Sequence, residues 1–211
     1  MANFNFIQMA DPQVGMFDRF SGMDPEAAAL LREHGLNVKD TPKSEGLKLD
    51  RLNLTTAVEQ IKEIDPAFVV VCGDMVDTAG DENEIALIRE TLGAYGAETP
   101  VHWVPGNHDI GVNNLIPDSE STAKYRSEFG DDYYSFSHGE SKFIILNSVV
   151  LDRPQNLLDE HQNQMDFLGD TLQSRESKDS EHVVAFMHHP LFLDNAEEAD
   201  VDFDWAPSPP N

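Results

Sequence analysis

The chain has 211 residues, of which 39 are acidic and 14 are basic, so its formal net charge is −25. Hydrophobic residues make up 40% of the chain, a proportion typical of globular proteins that argues against wholesale disorder. A surface this acidic repels phosphate backbones and anionic lipids, so we expect no extended nucleic-acid partner and no membrane partner.

The single cysteine, Cys72, excludes an intrachain disulfide and a site of the CxxC type. It ends an apolar run, and we interpret it as a core residue rather than a nucleophile. No apolar stretch reaches the length of a membrane span, and the first residues lack the basic stretch of a secretory signal. These features predict a cytoplasmic protein with a single domain over residues 1–211, whose oligomeric state the sequence leaves open.

The N-terminal half alternates strand patterns with helical spacing. The predicted elements are a strand over 5–10, a helix over 25–33, a helix over 49–64 and a strand over 67–72. Asp24 precedes a proline and is a suitable N-cap for the first helix. The rest of residues 14–46 has no regular pattern. Because this segment directly follows Asp11, we expect either a cap over a site or an insertion without a role.

The C-terminal half continues the alternation. The predicted elements are a helix over 82–95, a strand over 101–104, a helix over 119–129, a hairpin of strands over 133–138 and 142–150, a helix over 161–173 and a strand over 182–187. Strands that alternate with helices predict an α/β fold with right-handed crossovers. Histidines at positions 34, 102, 138, 161 and 182 are expected to be surface or packing residues.

Polar side chains follow four of the predicted strands. Asp11 follows the first strand, Asp74 the second, residues 107–109 the third and His188 the last. Ligands of α/β sheets bind beyond the carboxyl ends of the strands, so we expect these side chains to share one site. Carboxylate, carboxamide and imidazole ligands without a thiolate favour Mn, Fe, Zn or Mg.

Such ligands are suited to phosphoester chemistry. Two ions about 3.5–4 Å apart clamp the attacking and leaving oxygens of a displacement at phosphorus. The leaving oxygen then needs a proton from an acid that lies near the ions without binding them. His108 stands next to Asn107 and fits this catalytic role, and Asp109 is expected to orient its ring or to keep it protonated.

Four short blocks resemble the metallophosphoesterases, also called calcineurin-like phosphoesterases. The blocks are DPQ at 11–13, GDMVD at 73–77, GNHD at 106–109 and MHHP at 187–190. The usual family pattern is DxH, GDxxD, GNHD or GNHE, a lone histidine and GHxH. Further blocks such as FIQMADPQVG and HHPLF resemble the calcineurin-like phosphoesterase domain-containing branch, described as serine/threonine phosphoprotein phosphatases. The resemblance covers most of residues 4–195 and implies an α/β/β/α sandwich.

The resemblance implies a centre of two divalent metal ions. Asp11 and Gln13 would bind the first ion, Asn107 and His188 the second, and Asp74 would bridge the two. Gln13 stands where most of the superfamily has histidine, and its neutral carboxamide is a weaker donor, so we expect looser binding or a harder metal at the first ion.

The resemblance also implies how substrate is bound. Asn107, His108 and His189 would contact the phosphate group, with His108 as the acid. Asp77 is expected behind the ligands, as a supporting or helix-capping carboxylate. The 211 residues contain no GHxH motif, which predicts weak metal retention and a domain that is either C-terminally incomplete or degenerate.

The function predicted from these features is phosphomonoester hydrolysis by metal-bound hydroxide. The expected substrates are phosphoserine or phosphothreonine proteins, or a small phosphoester. Two alternatives stay open at this point. One is a phosphodiesterase acting on a cyclic nucleotide or another small diester, and the other is a metal-poor binding module without turnover.

Overall fold

Two three-stranded sheets form the scaffold. The computed structural model describes residues 3–36, 38–96, 99–110, 116–192 and 195–197. The strands are β1 (Ile7–Ala10), β2 (Val69–Cys72), β3 (Val101–Val104), β4 (Tyr134–His138), β5 (Ser141–Ile145) and β6 (His182–Phe186). The α-helices in these ranges are α1 (Met16–Phe20), α2 (Pro25–Glu33), α3 (Gly46–Ile64), α4 (Glu82–Gly96), α5 (Asn107–Ile110), α6 (Ser119–Phe129), α7 (Ser148–Asp152), α8 (Leu158–Gln173) and α9 (Arg175–Asp179), and a 3₁₀ turn covers Lys43–Glu45.

The first sheet is parallel, with β2 between β1 and β3. Its central strand is buried on both faces, as its β-branched run predicted, and no residue of Val69–Cys72 is more than 3% exposed. Val69 and Val71 pack against apolar side chains of α3 and α4. Val70 and Cys72 face the opposite way, towards the second sheet. Burial raises the pKa of the Cys72 thiol to about 11, in keeping with a core residue.

The second sheet pairs β4 with β5 in antiparallel fashion and β5 with β6 in parallel fashion. The predicted hairpin around Gly139 is confirmed, but the predicted strand over 142–150 is wrong beyond Ile145. There the Asn147 side chain accepts hydrogen bonds from the amides of Val149 and Val150 and starts α7. This N-cap outweighs the β propensity of the two valines.

The two sheets face each other across an aromatic layer. Phe68 lies between them, with ring-centroid distances of 4.9 Å to Phe143 and 5.2 Å to Phe136. On the outer face of the second sheet, Lys142 of β5 pairs with Glu176 of α9 at 2.9 Å. Since α3 and α4 cover the outer face of the first sheet, the expected α/β/β/α sandwich is confirmed.

Helices are confirmed where the sequence carried periodicity or a cap. α2 has the predicted bounds, and the Asp24 carboxylate accepts hydrogen bonds from the first turn. Residues 14–46 are more regular than expected, because they also contain α1 and the 3₁₀ turn. His102 is a packing residue, as predicted: its ring stacks on Phe136 at 3.6 Å, and burial lowers its pKa to about 4. None of the helices in the described ranges is long and apolar enough to cross a membrane.

Candidate metal centre

The loops that follow β1, β2 and β3 are the first, second and third loops of the site. The first and second loops run side by side at the carboxyl edge of the first sheet. The Asp11 amide donates to the Gly73 carbonyl at 3.2 Å, and the Gln13 amide donates to the Asp74 carbonyl at 2.8 Å. Asp11, Gln13 and Asp74 all adopt positive φ angles, of 52°, 39° and 49°. This conformation is costly for residues other than glycine and clusters at functional sites. The backbone therefore presents three of the predicted ligands from strained positions.

Three of the predicted ligands converge on a common centre. One ligand atom from each of Asp11, Asp74 and His188 lies within 4.8 Å of the other two. The His188 Nε2 atom is 3.6 Å from Asp74 Oδ2 and 3.1 Å from Asn107 Oδ1. Atoms that each bind one ion at about 2.1 Å lie about 3–4 Å from each other, so these separations fit a divalent cation. The structure thus brings together side chains that follow four strands, as the sequence predicted, and their role as metal ligands stays a prediction.

Two glycines allow the loops to approach this closely. Gly73 has a φ angle of 77°, and a Cβ at this position would collide with the His188 ring. A Cβ on Gly106 would likewise collide with Asp74. The His188 Nδ1 atom lies 3.3 Å from the Cys72 carbonyl. A carbonyl can only accept, so Nδ1 carries the proton and Nε2 is the atom available to a metal.

The Gln13 amide is oriented by the buried carboxylate of Asp77. Gln13 Nε2 donates to Asp77 Oδ1 at 3.2 Å and lies 3.2 Å from His108 Nε2. A carboxylate oxygen only accepts, so the nitrogen end of the amide must face Asp77. The oxygen end is then the one left to bind a cation. Asp77 is 1% exposed and contacts Gln13, and its predicted supporting role stays a prediction.

Asp109 differs from the expectation. Its Oδ1 accepts hydrogen bonds from the amides of Met75 and Val76 at 2.8 and 3.3 Å, and its Oδ2 accepts from the Gly106 amide at 2.8 Å. This buried carboxylate therefore joins the second and third loops, rather than orienting the ring of His108. A buried carboxylate is stable only where backbone donors or charges satisfy it, and the two loops supply those donors.

His108 is instead held by the second loop. Its amide donates to Asp74 Oδ1 at 2.9 Å, and its Nδ1 lies 2.6 Å from the Asp77 carbonyl oxygen. Nδ1 must donate to that carbonyl, which leaves Nε2 as the atom that faces Gln13. His108 therefore stands beside the ligands with Nδ1 bound to the Asp77 carbonyl and Nε2 next to the Gln13 amide, a place that suits an acid near the metals.

His189 lies next to His188, with the two ring centroids 5.0 Å apart. Its amide donates to Ser148 Oγ at 2.9 Å. Among the residues that the structure describes, no hydrogen-bond partner reaches its buried Nδ1 atom. Burial lowers the pKa of the His189 imidazole, and the neighbouring His188 lowers it further. Its predicted contact with substrate stays a prediction.

The family model for calcineurin-like phosphoesterases matches residues 50–207. The chain belongs to the calcineurin-like phosphoesterase family. The match includes the second loop, the third loop and His188, which contribute most of the converging side chains. Asp11 and Gln13 precede the matched residues, and the structure joins them to this part through the ladder between the first two loops.

The chain is similar to the serine/threonine-protein phosphatase CPPED1 of Mus musculus. The two are 31% identical over 206 residues, which cover 95% of this chain and 60% of the relative. The Homo sapiens protein of the same name is 28% identical over 203 residues, 93% of this chain and 59% of the relative. The Danio rerio protein is 30% identical over 209 residues, 95% of this chain and 61% of the relative. The chain thus spans about three fifths of the length of these relatives.

The electrostatics of this calcineurin-like site are dominated by buried acids. Partial burial raises the pKa of the Asp11 carboxyl. The nearby His188 lowers this pKa in part, and the negative charge of Asp74 raises it. Burial also raises the pKa of Asp109 to about 8, against the three backbone hydrogen bonds that lower it. Each shift reflects the cost of holding negative charge away from water. Divalent cations offset that cost, so the acids favour metal binding at this place.

The sequence reasoning missed two residues that contact Asp77. Arg19 of α1 places its Nη2 atom 3.2 Å from Asp77 Oδ1. Glu84, the third residue of α4, accepts hydrogen bonds from the amides of Asp77 and Thr78 at 3.1 and 2.8 Å. Neither residue belongs to a motif, and neither follows a strand end. Only the packing of α1 and α4 brings them to the site.

Glu84 makes the stability of this calcineurin-like domain depend on pH. Burial raises the pKa of Glu84 to about 7 from an ordinary value of 4.5, and Asp81 and Asp77 add to the shift. The folded chain binds the Glu84 proton more tightly than the unfolded chain does. The contribution of this group to the free energy of unfolding is therefore complete below pH 4.5 and is lost as the pH rises through about 7. Glu84→Gln keeps both hydrogen bonds but carries no titrating group. We expect the unfolding free energy of this variant, measured relative to wild type, to be about 1 kcal/mol higher at pH 8 than at pH 5, a value reduced for solvent screening.

Chemical denaturation of both proteins between pH 5 and pH 8 measures this difference. The exposed Glu82, which lies on the same helical turn, provides the control variant Glu82→Gln. A difference in unfolding free energy between Glu84→Gln and wild type that stays constant across this range would contradict the assignment.

Proposed function

We propose that the chain hydrolyses phosphomonoesters at a centre of two divalent metal ions, with phosphoserine or phosphothreonine in proteins as substrate. The observation that carries the proposal is the convergence of Asp11, Asp74, Asn107 and His188 at the carboxyl edge of the first sheet. The similarity to serine/threonine-protein phosphatases supports the same substrate class.

The ligands divide between the two positions of the proposed centre. Asp11 and the amide oxygen of Gln13 would hold one ion, Asn107 and His188 would hold the other, and Asp74 would lie between them. Mn, Fe, Zn and Mg all suit these oxygen and nitrogen donors. Bound ions of this kind supply Lewis-acid stabilisation of charge on a phosphate and lower the pKa of water.

His108 would protonate the leaving oxygen. The Asp77 carbonyl retains the proton of Nδ1 at a separation of 2.6 Å, so Nε2 is the atom that exchanges a proton with substrate. The Asp77 carboxylate lies 3.9 Å from the same Nδ1 atom. Asn107 and His189 would border the phosphate group from the side of His188.

The experiment loads the purified chain with Mn²⁺ and compares three substrates. We expect turnover of an aryl monoester and of phosphoserine and phosphothreonine peptides, with two metal equivalents per chain by elemental analysis. Faster turnover of an aryl diester would replace the monoesterase proposal with a phosphodiesterase. Less than one metal equivalent without turnover would replace it with a binding module.

A further inference from the structure

Helix α1 carries a cation to the edge of the candidate metal centre. Arg19 Nη2 lies 3.2 Å from Asp77 Oδ1, and the same oxygen lies 3.9 Å from His108 Nδ1, so the arginine nitrogen is at most about 7 Å from the ring nitrogen. The Arg19 side chain is 45% exposed, whereas that of Asp77 is 1% exposed. One end of the guanidinium is therefore held at the site while much of it still faces solvent.

The position of α1 does not depend on this ion pair. The buried carboxylate of Asp50 in α3 accepts from the amides of Phe17 and Asp18 at 3.4 and 3.3 Å. Gly46, at the start of α3, packs so closely on the Asp18 backbone that a Cβ would collide with it. Lys43 Nζ donates to the Asp18 carbonyl at 2.6 Å. These contacts hold the helix that bears Arg19 independently of Asp77.

The positive charge of Arg19 lies among acidic side chains that disfavour the approach of an anionic substrate. Asp11, Asp74 and Asp77 lie around the centre, and the chain as a whole carries a net charge of −25. At distances where bound metal ions no longer attract it, a phosphate dianion is repelled by such an acidic surface. Guanidinium has five donors in a planar fork that matches two phosphate oxygens, and Asp77 engages one of its nitrogens.

We propose that Arg19 binds the phosphate group of the substrate, opposite His108. Arg19 and the Nε2 atom of His108 would each form a charge-assisted hydrogen bond to a different oxygen of one phosphate group. This inference rests on the proposed function, because it assigns one more substrate contact to the same centre. It also gives the segment over residues 14–46 a role, as the carrier of a substrate-binding residue.

The experiment uses Mn²⁺-loaded chain and measures the Kd of inorganic phosphate, together with kcat and KM for an aryl monoester. We expect Arg19→Gln to raise both the phosphate Kd and KM about tenfold while metal content is retained, because one charge-assisted hydrogen bond is lost. Arg19→Lys keeps the charge and should recover part of the affinity. Arg32→Gln is the matched control, since Arg32 lies in the same segment and its guanidinium bonds to the Val38 carbonyl at 2.7 Å.

An unchanged phosphate Kd in Arg19→Gln would overturn the inference, and so would wild-type protein that binds no phosphate. Loss of metal from Arg19→Gln would also overturn it, because Arg19 would then act only as the counter-ion of Asp77. The proposed function fails separately. If the wild-type protein binds phosphate through Arg19 but hydrolyses no ester, the proposed hydrolase function is refuted, whereas the role of Arg19 in phosphate binding stands.

Discussion

Asp74→Asn is expected to abolish stable metal binding, with an affinity at least about 100-fold below that of the wild-type chain. Asp74 is 5% exposed, its Oδ1 accepts the His108 amide at 2.9 Å, and its Oδ2 lies 3.6 Å from His188 Nε2. Asparagine has the same shape and still accepts the amide hydrogen bond, but it lacks the charge that offsets two cations. Titration calorimetry with Mn²⁺, followed by elemental analysis of the desalted protein, measures the loss.

The backbone makes this substitution a selective one. Asp74 has a φ angle of 49°, and asparagine tolerates this left-handed conformation as well as aspartate does. The control is Asp65→Asn, because Asp65 has a φ angle of 52° at the C-cap of α3, outside the converging ligands. Asp65→Asn should keep the unfolding free energy of the wild type within about 0.5 kcal/mol, a range typical of surface substitutions. Two metal equivalents retained by Asp74→Asn would refute the central role of this carboxylate.

The convergence of the site was predictable because parallel strands bring their carboxyl ends to one edge. Asp11, Asp74 and Asn107 each follow a strand of the same sheet, so their proximity follows from topology alone. His188 is different, since β6 belongs to the second sheet. It reaches the centre because the sandwich stacks the two sheets, an arrangement that the family resemblance implied and the strand-end argument did not.

Residues that act through packing left no signal in the sequence. Arg19 reaches Asp77 because Asp50, a buried polar residue near the start of α3, holds the start of α1. Nothing in the local sequence marks Asp50 as a partner of a helix more than thirty positions earlier. Asp109 illustrates the converse error, because its place next to His108 in the chain suggested a contact with the ring. In α5, which covers Asn107–Ile110, neighbouring side chains point in different directions, and Asp109 turns towards the second loop.

His108→Ala is expected to lower kcat by about 10²–10⁴-fold on a phosphoserine peptide while metal content stays at the wild-type value. The imidazole bonds to the Asp77 carbonyl, and its Nε2 faces the amide of Gln13, so its removal deletes the acid without deleting a proposed ligand. The backbone amide that donates to Asp74 remains in the variant. Steady-state kinetics together with elemental analysis separates the two effects.

The leaving group provides the sharper measurement. An alkoxide such as that of serine needs a proton as it departs, whereas an aryl oxide with a strongly stabilised charge needs it far less. We therefore expect the loss in His108→Ala to be much smaller on the aryl monoester than on the phosphoserine peptide. His34→Ala, at an exposed position, should match wild type on both substrates. An equal loss of kcat on the two substrates would show that His108 binds phosphate without donating the proton, because an acid acts on the bond that breaks and a binding residue does not distinguish the leaving groups.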